Sequence, residues 1–227
     1  MSHRLGYWIA YFNVLAICAV LLGAFGVQFG QGELPCPLCV LQRMAMLLCA
    51  LGPAYVIQRG RAGEMDVRAF ATGYGFSVVA AVAGVGIAGR QVLLHIVPPD
   101  PGFGEPVFGL HLYTWSLIVF ATVLVVSGLN LIFAHDLVPP NVPPGWTATL
   151  VIGLLATVVV GNALAVFFEE GFHWTLPDNP DRYRLLDDMG WPPRVRNPQT
   201  GLRFSCDVTD GAISIVRTSG CRGRLQT

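Results

Sequence analysis

Two cysteines and an arginine stand close together near residue 40 of the chain. Cys36 and Cys39 are separated by two residues, and Arg43 follows Cys39 by four. Pro35 and Pro37 suit the end of an extended turn and the first turn of a helix, which would place both thiols at a helix N-terminus. The positive end of the helix dipole stabilises thiolate there, and the spacing lets the sulfurs bridge with little backbone movement. The sequence therefore predicts a pair that cycles between dithiol and disulfide.

Arg43 is predicted on the same helix face as Cys39, one turn deeper. A guanidinium so close to an apolar region is costly, which makes it a functional candidate that would favour the Cys39 thiolate. The alternative is that Arg43 extends to lipid headgroups, as arginines at the ends of membrane spans often do. The Cys-x-x-Cys spacing by itself is shared with zinc sites and structural disulfides, but a metal would require two further ligands nearby. We predict no metal site.

The composition is that of a membrane protein. Of 227 residues, 53% are hydrophobic and 12% are charged, and the mean hydropathy is +0.57. A water-soluble domain of this size would not stay dispersed with so few charges. The 14 basic residues, all of them Arg, are balanced by 14 acidic residues, so no basic surface for nucleic acid is expected.

Five apolar runs are long enough to cross about 30 Å of hydrocarbon. The first is too long for a signal peptide and lacks a small-residue cleavage site, so we interpret it as a retained span. The sequence predicts an all-α integral membrane protein whose spans lie near residues 7–29, 40–58, 69–89, 111–134 and 147–168.

The placement of arginine predicts the orientation, because cytoplasmic loops accumulate positive charge. Arginines precede the first span and fill the turn between the second and third spans: Arg4, Arg59, Arg61 and Arg68. The turn 28–35 has no basic residue, and the loop after the third span has Arg90 alone. The N-terminus is therefore expected in the cytoplasm. The connection 135–146 should also be cytoplasmic but contains no arginine, so this rule says nothing about the orientation of the fifth span. An odd number of spans then places the tail, residues 169–227, outside.

The motif around the cysteines has a recognisable form. The stretch Pro35-Cys-Pro-Leu-Cys-Val-Leu-Gln-Arg43 resembles the Cys-x-x-Cys-x-x-x-Arg signature of the DsbB family of quinone-dependent disulfide-forming proteins. The stretch Gly109-Leu-His-Leu-Tyr-Thr-Trp115 is similar to the start of that family's fourth span. The resemblance covers residues 5–134 and implies a four-helix transmembrane bundle with ubiquinone or menaquinone beside Cys36 and Cys39. It also implies that Cys39 is the partner of the quinone ring and that Arg43 anchors a quinone carbonyl.

One departure from the family concerns a histidine near the start of the second outer loop. Family members commonly have this histidine seven residues before a proline, and here Gln91 stands at that distance from Pro98. His95 is one helical turn further on and could substitute for it, although a lone histidine at the membrane interface is more often structural. Gln91 and His95 are therefore both candidate quinone-binding residues.

The larger departure concerns the second cysteine pair. The resemblance implies that electrons pass from a periplasmic DsbA-like dithiol to a second pair in the loop 90–110, which here contains no cysteine. The tail supplies Cys206 and Cys221, and we predict that the second redox pair has moved there. The alternative is a structural disulfide worth about 3 kcal/mol in a small secreted fold.

The tail is expected to fold in water. A helix is predicted to start at residues 178–180 and to stop at Gly190. The segments 202–209 and 212–218 are β-prone and flank Asp210-Gly211, a hairpin signal that would set Cys206 opposite Ile215. Three parts are therefore expected, at residues 1–135, 136–168 and 169–227.

These patterns give one leading hypothesis and two alternatives. The leading hypothesis is an inner-membrane thiol:quinone oxidoreductase that passes electrons from a DsbA-like protein through Cys206/Cys221 and Cys36/Cys39. The first alternative keeps the enzyme but makes the tail disulfide structural. The second is a non-catalytic membrane assembly subunit whose outer cysteines are all structural. Cys18 and Cys49 lie inside the first two spans and are assigned to packing.

Overall fold

The computed structural model describes residues 5–30, 32–97, 102–104, 106–139, 145–173, 183–190, 194–196, 203–209 and 212–217. Five of its helices are long and apolar enough to cross a membrane, which confirms the predicted spans and the all-α membrane fold. They are α1 (Leu5–Gly30), α2 (Pro37–Arg61), α3 (Val67–Leu94), α4 (Leu112–Ile132) and, after the short α5 (Ala134–Leu137), α6 (Trp146–Glu170). The chain is a multi-pass membrane protein.

Helix α2 is the central element of the bundle. It packs against α1 and α3, while α3 packs against α4 and α4 also contacts α2. In α2, 72% of the most apolar stretch is buried, compared with 17–33% in the other spans. A side chain on α2 is therefore surrounded by protein on most sides.

The approach of α2 to α3 depends on small residues. A Cβ on Gly52 would overlap Ser77 and the backbone of Gly73, so the two helices contact through their backbones at this level. The Ser77 hydroxyl donates to the carbonyl oxygen of Cys49 at 2.8 Å. Cys18 and Cys49 are 0% and 1% exposed in the same buried cluster, where they pack as small apolar residues.

The first half of α6 joins this core. Its buried positions, Ala148, Val151, Leu155 and Val158, belong to the same hydrophobic cluster as α1 to α4. Residues up to Ala163 form one compact unit, and Leu164 begins a second.

The second unit contains a short helix and a three-stranded antiparallel sheet. Helix α7 spans Arg184–Asp188, and Gly190 follows it with a φ of 77°. The strands β1 (Arg194–Arg196), β2 (Arg203–Thr209) and β3 (Ala212–Arg217) lie in the order β1-β2-β3. The two predicted β segments are confirmed. The strand β1 was not predicted, because three residues between prolines are too few to show an alternating pattern. The predicted helix start at 178–180 lies outside the described residues.

Candidate functional site

The cysteine pair occupies the N-terminus of α2. Cys36 is the N-cap residue, its sulfur accepts a hydrogen bond from the Cys39 backbone N–H at 3.2 Å, and Pro37 is the first helical residue. The two sulfurs lie 2.6 Å apart, close enough to bridge with little backbone movement. Cys36 is buried, at 6% exposed, and Cys39 is partly exposed. The predicted arrangement of the pair at a helix N-terminus is confirmed.

A buried amide from α3 covers both sulfurs. The side-chain nitrogen of Gln91 donates to Cys36 at 3.2 Å and to Cys39 at 3.5 Å. The side-chain nitrogen of Gln42, on α2, donates in turn to the Gln91 carbonyl oxygen at 2.7 Å. Gln42 therefore orients the Gln91 amide so that its N–H groups face the sulfurs. N–H donors stabilise a thiolate, so this amide pair favours the reactive form of the cysteines.

Gln42 was not a candidate in the sequence. One signal was available, because an amide three residues after Cys39 in an apolar helix faces the same side as that cysteine. Its partner could not be found in this way, since Gln91 is 49 residues away.

Arg43 is buried, with 7% of its surface exposed, and it is held by α1. Its guanidinium donates to the side-chain oxygen of Gln28 at 2.6 Å and to the Ala24 carbonyl at 3.3 Å, and it lies 5.3 Å from the centre of the Phe25 ring. These contacts with the protein interior do not fit an arginine that extends to lipid headgroups. Gln28, which is 1% exposed, is a second amide that the sequence alone did not single out.

A cavity of about 350 Å³ opens beside the pair. Its walls are mainly apolar residues of α1, α2 and α4, and its polar lining includes Cys39, Arg43, Gln28, Gln42 and Glu33. Volumes of about 300–1,000 Å³ with apolar walls and a few fixed polar groups are usual for small-molecule sites. Of the two cysteines, Cys39 lines the cavity and Cys36 is not part of the described lining. The cavity therefore presents one sulfur and one guanidinium to an apolar ligand.

His95 is placed at the edge of this site. It is the residue that ends α3, and its ring stacks on the Tyr113 ring with 5.4 Å between centres. The His111 ring also stacks on Tyr113, with 5.2 Å between ring centres. Tyr113 lines the cavity, whereas Gln91 and His95 do not appear in its lining. Their predicted contact with a ligand remains a prediction, and the structure connects them to the cysteines and to Tyr113 respectively.

The tail cysteines are described only in part. Cys206 lies in β2, and its backbone pairs with Ile215 of β3, as the predicted hairpin register required. Cys221 lies outside the described residues. The pairing of Cys206 with Cys221 therefore remains a prediction.

Five apolar helices and a dithiol at the start of the central one define a multi-pass membrane protein with a thiol–disulfide site. The model of the family described as disulfide bond formation protein DsbB matches residues 6–104. Disulfide bond formation protein B of Chromohalobacter salexigens is 32% identical over 159 residues, which cover 64% of this chain and 88% of that protein. Disulfide bond formation protein B of Neisseria meningitidis is 30% identical, with 68% and 92% covered.

A third relative, disulfide bond formation protein B 1 of Pseudomonas fluorescens, is 33% identical, with 56% of this chain and 90% of that protein covered. No solved structure matches significantly. The chain belongs to the DsbB family. Membership of this family places it among the membrane proteins of disulfide-bond formation, with oxidoreductase chemistry on thiols.

The orientation of Gln91 by Gln42 can be tested by removing the donor. In a Gln42→Leu variant the Gln91 amide loses the hydrogen bond that fixes it, and we expect the reduced pair to react with iodoacetamide roughly 2- to 12-fold more slowly at pH 7, the effect of one hydrogen bond. Asn130→Leu is the matched control, because Asn130 is a buried amide of α4 that bonds only to Val126 of its own helix among the described contacts. Equal alkylation rates in both variants would contradict the role of Gln42.

Proposed function

We propose that this protein is a thiol:quinone oxidoreductase of the bacterial inner membrane that re-oxidises a periplasmic DsbA-like thiol oxidase. The observation that carries the proposal is that Cys39 and Arg43 line one apolar cavity while Cys39 also touches Cys36. One sulfur of the pair thus faces a ligand space and the other is covered by protein. In the proposed orientation the N-terminus is cytoplasmic, and the cysteine pair and the tail are periplasmic.

The cavity fits the head of a ubiquinone or menaquinone. Its walls suit an apolar ring, and Arg43 offers a fixed cation beside the position that a carbonyl oxygen would occupy. Such a quinone supplies an acceptor for two electrons and two protons. Gln28 and Ala24 already hold the Arg43 side chain in one conformation. Its hydrogen bond to a ligand therefore costs little further conformational entropy.

The cysteines carry the electrons through successive thiolate–disulfide exchanges. A thiolate of the reduced partner attacks a disulfide of this protein, and the exchange leaves the partner oxidised and Cys36 and Cys39 as a dithiol. Re-forming the Cys36–Cys39 bond releases two electrons and two protons, which are the amounts that the acceptor takes up. Gln91 and the helix N-terminus stabilise negative charge on the sulfurs during this step.

Cys206 and Cys221 are the second pair of this scheme. The partner first exchanges with Cys206/Cys221, and this pair then exchanges with Cys36/Cys39. What supports this step is the absence of any cysteine from the loop 90–110 together with two cysteines in the tail. In the alternative the tail disulfide is structural, and the partner exchanges with Cys36/Cys39 directly.

Turnover with defined reactants tests the proposal. The purified protein, given a reduced DsbA-like protein and a soluble ubiquinone or menaquinone analogue, is expected to oxidise the thiols and to reduce one quinone per disulfide formed, which the change in quinone absorbance measures. No quinone reduction would overturn the oxidase assignment and leave the assembly subunit. The double variant Cys206→Ser/Cys221→Ser is expected to lose turnover with the protein partner but to retain it with dithiothreitol. Unchanged turnover with the protein partner would eliminate the relay and leave a structural tail.

A further inference from the structure

A larger cavity, of about 700 Å³, lies at the other end of the bundle from the cysteines. It is enclosed by the start of α1, the end of α2 and the start of α6. Along α2, Arg61 at this cavity is roughly 38 Å from Cys36. The site is therefore separate from the dithiol site, and its α6 wall lies beyond the residues 6–104 that match the family model.

The walls of this cavity change in character with depth. At the mouth stand aromatic side chains, Tyr7 and Trp8 on α1 and Trp146 on α6, and both tryptophans are mostly exposed, at 67% and 75%. Deeper in the spans the lining is aliphatic and includes Leu15 and Leu154. In membrane proteins, Trp and Tyr are enriched at the level of the lipid headgroups, and aliphatic residues face the acyl chains below them.

At the mouth of the cavity, α1 and α2 are closely packed. A Cβ on Gly60 of α2 would overlap the Tyr7 ring, so this ring lies directly against the α2 backbone. The position of Tyr7 therefore depends on the absence of a side chain at residue 60.

Arg61 brings charge to this mouth. It is half-buried against the cavity, and among the described residues it forms no ion pair, whereas the neighbouring Arg59 pairs with Glu64 at 2.6 Å. A guanidinium that is partly withdrawn from water gains most from an anion with several oxygen acceptors, such as a phosphate group. The described lining contains no carboxylate that could serve this role.

We propose that this cavity binds an anionic phospholipid. The phosphate lies against Arg61 within the ring of Tyr7, Trp8 and Trp146, and an acyl chain follows Leu15 and Leu154 between α1 and α6. Because the acyl chain fills the space between α6 and the first two helices, the lipid holds the fifth span to the bundle. The headgroup charge distinguishes this occupant from a quinone, which is neutral and has no phosphate for Arg61.

Native mass spectrometry of the full-length protein, with phosphatidylglycerol and phosphatidylcholine of identical acyl chains, tests the site. The wild type is expected to retain one phosphatidylglycerol at collision energies that remove phosphatidylcholine. Arg61→Gln is expected to weaken this binding about fivefold, the effect of one arginine near anionic lipid, and Arg61→Lys is expected to restore most of it. Arg68→Gln is the matched control, because Arg68 is an exposed arginine at the same end of the bundle that does not line the cavity.

Three results would overturn the proposal. One is equal retention of the two lipids by the wild type, which would mean that charge has no part in binding. Another is an equal loss of phosphatidylglycerol in Arg68→Gln and Arg61→Gln, since the effect would then be a general one of surface charge. The third is a bound quinone that Arg61→Gln removes, since a quinone beside Cys39 would not depend on Arg61. None of these results depends on turnover, so the proposed lipid site and the proposed oxidase can fail separately.

Discussion

Replacing Cys39 with serine is expected to abolish quinone reduction. Cys39 is the sulfur that lines the cavity, and serine cannot form the bond with Cys36 whose closure releases the electrons. We expect turnover to fall by at least about three orders of magnitude, as when a catalytic nucleophile is removed. The measurement is the rate of quinone absorbance loss with a reduced DsbA-like protein as electron donor.

Cys49→Ser provides the control for this substitution. Cys49 lies on the same helix, is buried, and contacts the Ser77 carbonyl rather than the cavity. This variant is expected to keep wild-type turnover, since serine is close in size and retains a donor for that carbonyl. Turnover in Cys39→Ser above a tenth of the wild-type rate would exclude Cys39 as the residue that passes electrons to the acceptor. Loss of turnover in both variants would point instead to a fold that tolerates no polar change in α2.

The same variant is expected to trap the partner. When the oxidised partner is supplied, the Cys36 thiolate attacks its disulfide and displaces one partner thiolate, and the resulting mixed disulfide accumulates because no Cys39 thiol is present to resolve it. Non-reducing electrophoresis followed by mass spectrometry identifies which cysteine is attached. Attachment of the partner through Cys206 or Cys221 supports the relay, and attachment through Cys36 in a chain that retains both tail cysteines supports direct exchange.

Replacing Arg43 with glutamine is the substitution with the second largest expected effect. The guanidinium is a cation of the cavity lining, and hydrogen bonds to charged groups contribute about 1.5–3 kcal/mol, which corresponds to roughly 10- to 160-fold. We expect the KM for quinone to rise by this factor while the KM for the thiol partner changes little. The KM for quinone of Arg43→Lys is expected to lie between those of the wild type and Arg43→Gln. An ammonium keeps the charge but cannot reach both Gln28 and Ala24 as the planar guanidinium does.

Arg90→Gln is the matched control for the Arg43 variants. Arg90 is exposed on α3 next to Gln91, so its loss removes the same charge near the same end of the bundle without altering the cavity. A thermal unfolding scan of each variant separates binding from stability, since Arg43 also ties α2 to α1. A rise in the KM for the thiol partner alone would show that Arg43 serves the exchange step and not the quinone.

Features that depend on local spacing were predictable. Helix geometry places Cys36, Cys39 and Arg43 within about two turns at the start of α2 whatever the rest of the chain does, and Pro37 is the first residue of that helix. Apolar runs of about 20 residues have few alternatives to a membrane span, because every backbone polar group must be satisfied within the segment. The pairing of Cys206 with Ile215 was also predictable, because a two-residue turn fixes the register of the hairpin that it joins.

Features that join distant segments were decided by the tertiary structure. Gln42 and Gln91 are on different helices, and their hydrogen bond exists only because small residues let α2 and α3 pack closely. The anchoring of Arg43 by Gln28, the stacking of His95 on Tyr113 and the cavity among α1, α2 and α4 likewise arise between elements. The sequence by itself determined which groups can react and where the spans lie. Which side chains meet was determined only by packing, because contact between helices depends on side-chain volumes and crossing geometry that no local spacing encodes.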